Sequence, residues 1–107
     1  MWKTIQKYKY LKAKENTPCF YVYIIECDDG SYYTGFTSNL MQRITDHKMN
    51  NGSKYTQEKG FKRLVYFEIH SNESYAKERE KQIKEAGRIY KKMLVNQFNQ
   101  NLLLLKE

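Results

Sequence analysis

The sequence predicts an α+β domain in which a small three-stranded antiparallel sheet is flanked by three or more helices. Two β-branched and aromatic segments on either side of Asp28-Asp29-Gly30 predict a hairpin. An apolar run at residues 64–69 predicts a third strand, and helical periodicity follows the hairpin and this strand. A chain of 107 residues has room for one core, so we expect a single domain at 18–99, a basic extension at 1–17 and a leucine-rich tail at 100–107.

The turn of the hairpin decides which tyrosines share a face of the sheet. A two-residue loop would pair Tyr23 with Phe36 and put Tyr33 on the opposite face. A three-residue loop ending in a glycine bulge would pair Tyr23 with Gly35, and Tyr33 would then lie diagonally on the same face. We favour the three-residue loop, because Asp28-Asp29-Gly30 suits a type I turn that ends with a glycine of positive φ.

The composition favours anionic partners and a reducing compartment. The chain has 19 Lys and Arg against 12 Asp and Glu, a net charge of +7, which is typical of proteins that bind nucleic acid or a membrane surface. Cys19 and Cys27 fall on one predicted strand, roughly 26 Å apart, and cannot form a disulfide with each other. With no signal-peptide core and no long apolar run, the sequence predicts a cytoplasmic protein that does not cross a membrane.

The first 17 residues carry five lysines and one acid. Their apolar residues recur every three positions, at Trp2, Ile5, Tyr8 and Leu11. This pattern fits either a short amphipathic helix or a basic arm, and we expect a partly ordered extension that lies on the domain.

A helix is predicted after the hairpin, from an N-cap at Thr37 or Ser38 to about residue 50, where Asn51-Gly52 ends it. On its helical wheel, Arg43 and His47 flank the apolar stripe. An arginine at the border of a core favours an anionic partner, which makes Arg43 a candidate for binding a phosphate oxygen. An arginine that extends into solvent or pairs with a nearby carboxylate fits the same spacing, and His47 is equally open.

The segment at residues 51–61 is predicted to be a polar, basic loop. It displays Lys54, Tyr55 and Lys59, which would lie along a nucleic-acid backbone or simply in solvent. The loop leads into the third strand, which we expect to be the central or the best-buried strand because it is an apolar, aromatic run.

A second helix is predicted after Ser71-Asn72, with Glu80 on an otherwise small and apolar stripe. A carboxylate at such a position is costly unless it is paired or bound to a metal ion. Glu80 is therefore either a salt-bridge partner of a nearby cation or a ligand of a hard divalent cation. A third helix is predicted from residue 88 or 89 to Phe98, followed by Leu102 to Leu105 as a packed tail or a dimer contact.

This order of elements and residues resembles the GIY-YIG nuclease family over roughly residues 20–98, and most closely its small stand-alone bacterial members. The two name-giving tripeptides of the family would fall on Tyr21-Val22-Tyr23 and Tyr33-Thr34-Gly35. Both depart from the family name but retain Tyr23, Tyr33 and the glycine at position 35.

By this resemblance, Arg43 matches the catalytic arginine of the family and His47 the histidine found one turn later in some members. Glu80 matches the metal-binding glutamate. The family also has an asparagine late in the domain, for which Asn96 and Asn99 are both candidates, and Asn99 is the one we carry forward.

The resemblance implies hydrolysis of phosphodiester bonds in DNA, including branched or nicked DNA, or in RNA. One divalent ion, Mg²⁺ or Mn²⁺, would be bound by Glu80 as its single protein ligand. Tyr33 would take the proton of the attacking water, with Tyr23 sharing this role and His47 orienting the phenol. Arg43 would stabilise the charge that develops on the non-bridging oxygens.

Basic and aromatic side chains would supply salt-sensitive affinity with little sequence preference. These candidates are Lys54, Tyr55, Lys59, Lys81 and Lys84. A domain of this fold that binds nucleic acid without cleaving it is the alternative. A weak homodimer formed through the leucine tail is a further expectation.

Overall fold

A computed structural model describes residues 18–105 as a three-stranded antiparallel sheet with helices on both faces. The strands are β1 (Phe20–Cys27), β2 (Tyr32–Thr37) and β3 (Phe61–His70), in the order β2-β1-β3. The helices of this part of the chain are α1 (Leu40–Lys48), α2 (Lys54–Lys59), α3 (Glu73–Ala86) and α4 (Arg88–Leu105). The predicted α+β fold class is confirmed, while the predicted extension at 1–17 lies outside the described residues.

The three-residue hairpin loop is confirmed. Tyr23 pairs with Gly35 across the two strands. The Cys27 amide donates to the Ser31 carbonyl at 2.8 Å, and Gly30 adopts a φ of +84°. Glycine reaches this conformation without the steric cost that a Cβ would add. Both tyrosines of the predicted site therefore lie on one face of the sheet.

The expectation that β3 is the central or best-buried strand is wrong, because β1 pairs with both neighbours and is the more buried strand, while β3 lies at an edge. The continuous apolar pattern of β3 has another cause, which is that both of its faces are covered. Leu64 and Phe67 belong to the core on one face, and Val65 and Tyr66 belong to the core on the other. The apolar run therefore indicates that both faces of β3 are covered. It does not indicate a central position in the sheet.

The first helix begins one or two residues later than predicted. Asn39, and neither Thr37 nor Ser38, caps α1, and its side chain accepts from the amide three residues on at 3.2 Å. The Thr37 hydroxyl instead accepts from the Asn39 amide at 3.0 Å. This bond forms a local turn and engages the hydroxyl that could otherwise have capped the helix. The helix ends at Lys48, and Asn50 has a φ of +63°, so the chain turns before the predicted glycine stop.

Two segments predicted to be irregular are helical. The loop at 51–61 contains α2, whose N-cap Ser53 accepts from the Thr56 amide at 3.2 Å. The leucine run at 102–105 continues α4 and does not form a separate tail, because leucine is a strong helix former. Cys19 and Cys27 form no disulfide. Within residues 18–105, no helix is long and apolar enough to cross a membrane.

Candidate active site

Gly35 creates the space in which the ring of Tyr23 lies. A Cβ built at position 35 would stand 2.4 Å from both Cζ and the hydroxyl oxygen of Tyr23, far inside van der Waals contact. The register of the hairpin brings the two residues opposite each other. A glycine is therefore needed at position 35 because the Tyr23 ring packs directly against its Cα. No turn geometry requires it.

A buried chain of hydrogen bonds joins β1, α1 and α2. The Tyr23 hydroxyl lies 3.0 Å from Nε2 of His47, and Nδ1 of His47 lies 2.8 Å from the Thr56 hydroxyl. Tyr23 is fully buried, and His47 and Thr56 are each 2% exposed. Gly52 closes the space above the imidazole, since a Cβ there would lie 2.2 Å from Nδ1. The imidazole is held on all sides, and bulk water does not reach it.

Arg43 is half-buried, as its place beside the apolar stripe predicted, and it interacts with the hydroxyls of Tyr23 and Tyr33. Contact with the Tyr23 hydroxyl raises the pKa of the guanidinium, which therefore stays charged. Helical periodicity placed Arg43 beside the core but did not identify its partners. The structure shows that they are the two phenols.

Burial keeps both Tyr23 and His47 neutral at neutral pH. It raises the pKa of Tyr23 to about 12, although the adjacent Arg43 charge opposes the rise. It also lowers the pKa of His47 to about 4, and here the Arg43 charge adds to the effect of burial. The guanidinium is thus the positive charge that acts on a neutral phenol and a neutral imidazole.

Tyr33 links the buried residues to the surface. Its ring centroid lies 6.3 Å from that of Tyr23 and 5.6 Å from that of His47. On its other side, Tyr55 stacks at 6.0 Å with an interplanar angle of 25°, and Tyr55 is 39% exposed. A row of rings therefore runs from the core to solvent, with Tyr33 half-buried in its middle.

Glu80 lies on α3, and its negative charge adds to the rise that burial causes in the pKa of Tyr23. Its side chain is 22% exposed, and Oε2 lies 3.3 Å from the ammonium of Lys84. The salt bridge that the sequence left open is thus present. In the part of the chain that the structure describes, no group of three or more His, Cys, Asp or Glu side chains could hold a metal ion. A partly exposed single carboxylate fits a hard cation whose other ligands are water and phosphate oxygens.

The remaining predicted residues are spread around this site. Lys54 and Lys59 lie at opposite ends of α2, and Lys59 pairs with Asp29 at 3.8 Å. Lys81 is exposed on α3. Asn99 lines a cavity of about 530 Å³ that none of the five predicted catalytic residues borders.

Thr56 is the residue of this site that the sequence did not reveal. It lies nine positions beyond His47, in a segment too short to show a helical period. The available signal was Ser53, which lies three residues before Thr56. An N-cap side chain accepts from the backbone amide three residues further on, so this spacing is typical of an N-cap. That signal would have indicated α2 and the inward-facing side of Thr56.

A second polar cluster joins β3 to α3 and α4. The Glu68 carboxylate binds the Arg79 guanidinium at 2.8 Å and His70 Nε2 at 2.8 Å, and it also accepts from the Tyr66 hydroxyl. Arg79 donates onward to the Tyr90 hydroxyl at 3.1 Å. Glu68 and Arg79 are only 13% and 20% exposed, so this cluster fixes the helices on the strand edge.

A three-stranded sheet with two tyrosines over a glycine, and an arginine, a histidine and a glutamate from two helices, is the arrangement that the resemblance to the GIY-YIG family implied. The family model described as the GIY-YIG catalytic domain matches residues 19–93. The chain therefore belongs to this family, as the resemblance of its sequence indicated.

Similar proteins carry the name UPF0213. One from Clostridium perfringens is 46% identical over 76 residues, covering 71% of this chain and 82% of the relative. One from Halobacterium salinarum is 39% identical over 74 residues, covering 69% and 96%. A UPF0213 protein from Bacillus halodurans, whose solution NMR structure is known, is 40% identical in sequence. The match covers 73% of this chain and 83% of that chain, with a TM-score of 0.48.

Proposed function

We propose that the protein is an endonuclease that hydrolyses phosphodiester bonds in DNA, or in RNA, with one divalent metal ion. The observation that carries this proposal is the convergence of two tyrosines and Arg43 over Gly35, with Glu80 at the border. A permanent cation beside hydroxyl groups in a partly closed site is suited to a reaction in which negative charge develops on phosphate oxygens.

The residues divide the reaction between them. Attack of water forms a new P–O bond, breaks the bond to the leaving oxygen and releases one proton from the water. Tyr33 is half-buried beside Arg43 and takes that proton in its phenolate form, while Arg43 stabilises the non-bridging oxygens and the leaving oxygen gains a proton from solvent. Tyr23 and His47 hold these two groups in place. Glu80 would hold Mg²⁺ or Mn²⁺, which supplies Lewis-acid polarisation of the phosphate.

Basic residues around the site supply affinity for the nucleic-acid backbone. The proposed contacts are Lys54, Tyr55, Lys59, Lys81 and Lys84. Each phosphate contact that is lost should reduce the slope of log K against log salt by about 1. Branched or nicked DNA is the first substrate class to try. Cys19 and Cys27 form no disulfide, which fits a cytoplasmic location.

The test is cleavage of branched, nicked and linear DNA and of RNA, with and without Mg²⁺ or Mn²⁺. Glu80→Gln should lower the rate at least 100-fold, while Glu78→Gln, an exposed carboxylate on the same helix, should leave it unchanged. Arg43→Ala should have the same effect as Glu80→Gln, with the exposed Arg63→Ala as its control. Cleavage by Glu80→Gln at the unmodified rate would refute the metal assignment.

The alternative function is that of a nucleic-acid-binding domain of this fold that does not cleave its ligand. The Lys84 ammonium already pairs with the carboxylate that a metal ion would need. In that case the protein would bind nucleic acid in a salt-dependent manner, and neither the natural chain nor Lys84→Ala would cleave any substrate with either metal. Cleavage by either protein decides for the enzyme.

A further inference from the structure

We propose that Thr56 is a positioning residue whose hydroxyl holds His47 as the tautomer protonated on Nδ1, so that the Tyr23 hydroxyl donates its hydrogen to Nε2. The catalytic consequence of this inference rests on the proposed nuclease function. The tautomer itself does not.

The neighbours of Thr56 determine which way its single hydrogen points. Its hydroxyl oxygen lies 2.8 Å from Nδ1 of His47, and 3.1 Å from both the carbonyl oxygen and the hydroxyl of Ser53. The carbonyl can only accept, and a helical threonine commonly donates to such a carbonyl in the preceding turn. Once its hydrogen is used there, Thr56 can only accept from His47, and the imidazole hydrogen must be on Nδ1.

The opposite direction leaves a buried hydrogen without an acceptor. If Thr56 donated to Nδ1, the hydrogen of His47 would be on Nε2 and would point at the Tyr23 oxygen. Arg43 has donors only and faces the same oxygen. Two donors on one oxygen suit a phenolate, but Tyr23 remains a phenol at neutral pH, because burial raises its pKa to about 12. Its own hydrogen would then have no partner among the side chains described around it, which is costly in a buried site.

The favoured direction uses each hydrogen once. The Arg43 guanidinium faces the Tyr23 oxygen, Tyr23 donates to His47, His47 to Thr56, and Thr56 to the Ser53 carbonyl. The chain begins at a permanent cation and ends at a helix N-terminus, and each link fixes the next one. Cooperative chains of this kind are strengthened in a low-dielectric interior.

This order separates the roles of the two tyrosines. The hydrogen of Tyr23 is held by His47, and its oxygen faces Arg43, so Tyr23 orients the guanidinium. Tyr33 is the phenol left to act as the base, and in its phenolate form it would receive the proton from the attacking water. Thr56 touches none of the reacting atoms and acts through His47 alone. The site has little room for a substitute, because both Thr56 and His47 are 2% exposed.

The test combines tautomer-sensitive NMR with kinetics. The chain has two histidines, so ¹⁵N-histidine labelling gives two imidazole spectra, and His70→Gln identifies that of His47. We expect a protonated Nδ1 and an unprotonated Nε2 in the natural chain. Thr56→Val keeps the shape but loses the hydroxyl, and it should abolish the tautomer preference and lower kcat about tenfold without changing KM. Thr56→Ser should restore both.

Thr45→Val is the matched control, since that hydroxyl is exposed and bonds only within α1, to the Met41 carbonyl at 2.9 Å. It should leave the His47 spectrum and kcat unchanged. A natural chain protonated on Nε2, or a Thr56→Val chain with the tautomer unaltered, would overturn the inference. If the natural chain cleaves nothing, the proposed function fails, but the spectra still decide the role of Thr56.

Discussion

Gly35→Ala should damage the site more than it damages the fold. The new methyl group would stand 2.4 Å from Cζ and the hydroxyl oxygen of Tyr23 and 2.8 Å from Cε1. To regain van der Waals contact, the ring must withdraw by about 1 Å. It has no free space to enter, because Tyr23 is fully buried and its hydroxyl is bound to His47 at 3.0 Å.

The size of the effect follows from this displacement. Forcing one methyl group into a packed core costs about 1–3 kcal/mol of unfolding free energy. A displacement of about 1 Å at catalytic groups can lower a rate about 100-fold. Gly35→Ala should therefore remain folded in the cold but cleave about 100 times more slowly than the natural chain.

Gly30→Ala is the control with a similar cost in stability. Gly30 has a φ of +84°, so alanine there is strained by about 1–2 kcal/mol, but no atom lies within 4 Å of the new methyl group. Urea unfolding and single-turnover cleavage should show similar losses of stability in both variants and a loss of rate only in Gly35→Ala. Normal cleavage by Gly35→Ala would refute the view that this glycine positions Tyr23.

Three further predictions concern pH, the second polar cluster and self-association. His47 is protonated near its ordinary pKa of 6.5 in the unfolded chain but only near 4 in the folded chain. As the pH falls from 6.5 to 4, the unfolding free energy should therefore fall by up to about 3 kcal/mol. His47→Gln should flatten this slope in urea titrations. Glu68→Gln leaves the Arg79 guanidinium without its carboxylate and should cost about 3 kcal/mol in the same measurement at pH 7. Ile89 and Leu103 are 88% and 64% exposed on one face of α4, so we expect a weak dimer by sedimentation that Leu103→Ser disrupts.

Controls for these predictions come from exposed equivalents. Glu73→Gln breaks an ion pair with Lys77 in which the two side chains are 53% and 60% exposed, and it should cost less than about 1 kcal/mol. Met49→Ser changes another exposed apolar residue, outside α4, and should not affect self-association. A pH slope that His47→Gln leaves unaltered would contradict the pKa assignment. A single mass at every concentration would exclude the dimer.

Features set by a few neighbouring residues could be predicted from the sequence. The hairpin register follows from Asp28-Asp29-Gly30, because only a glycine readily adopts the positive φ that closes a three-residue loop. The positions of Arg43 beside one apolar stripe and of Glu80 on another follow from helical periodicity, which fixes the side of a helix once its buried stripe is known. Periodicity could not name their partners, which come from other elements.

Features set by distant contacts could not be predicted. The edge position of β3 depends on which strand pairs with both others, and an apolar run reports only that two faces are covered. The six residues of α2 span less than two turns, so no stripe was visible. The contact of Thr56 with His47 depends on how α2 folds back onto α1, and no local rule gives that angle.

The charges of the site explain why an anion would be needed to complete it. Tyr23 and His47 are neutral at neutral pH, and Lys84 offsets Glu80. Within residues 18–105, the groups that hold the Arg43 charge are the Tyr23 and Tyr33 hydroxyls. A guanidinium in such a partly closed position gains most from a ligand that brings negative charge, as a phosphate does. A cation that bound Glu80 would also release the Lys84 ammonium toward the same phosphate. Metal binding and backbone binding would then strengthen each other through one lysine, without any movement of the sheet.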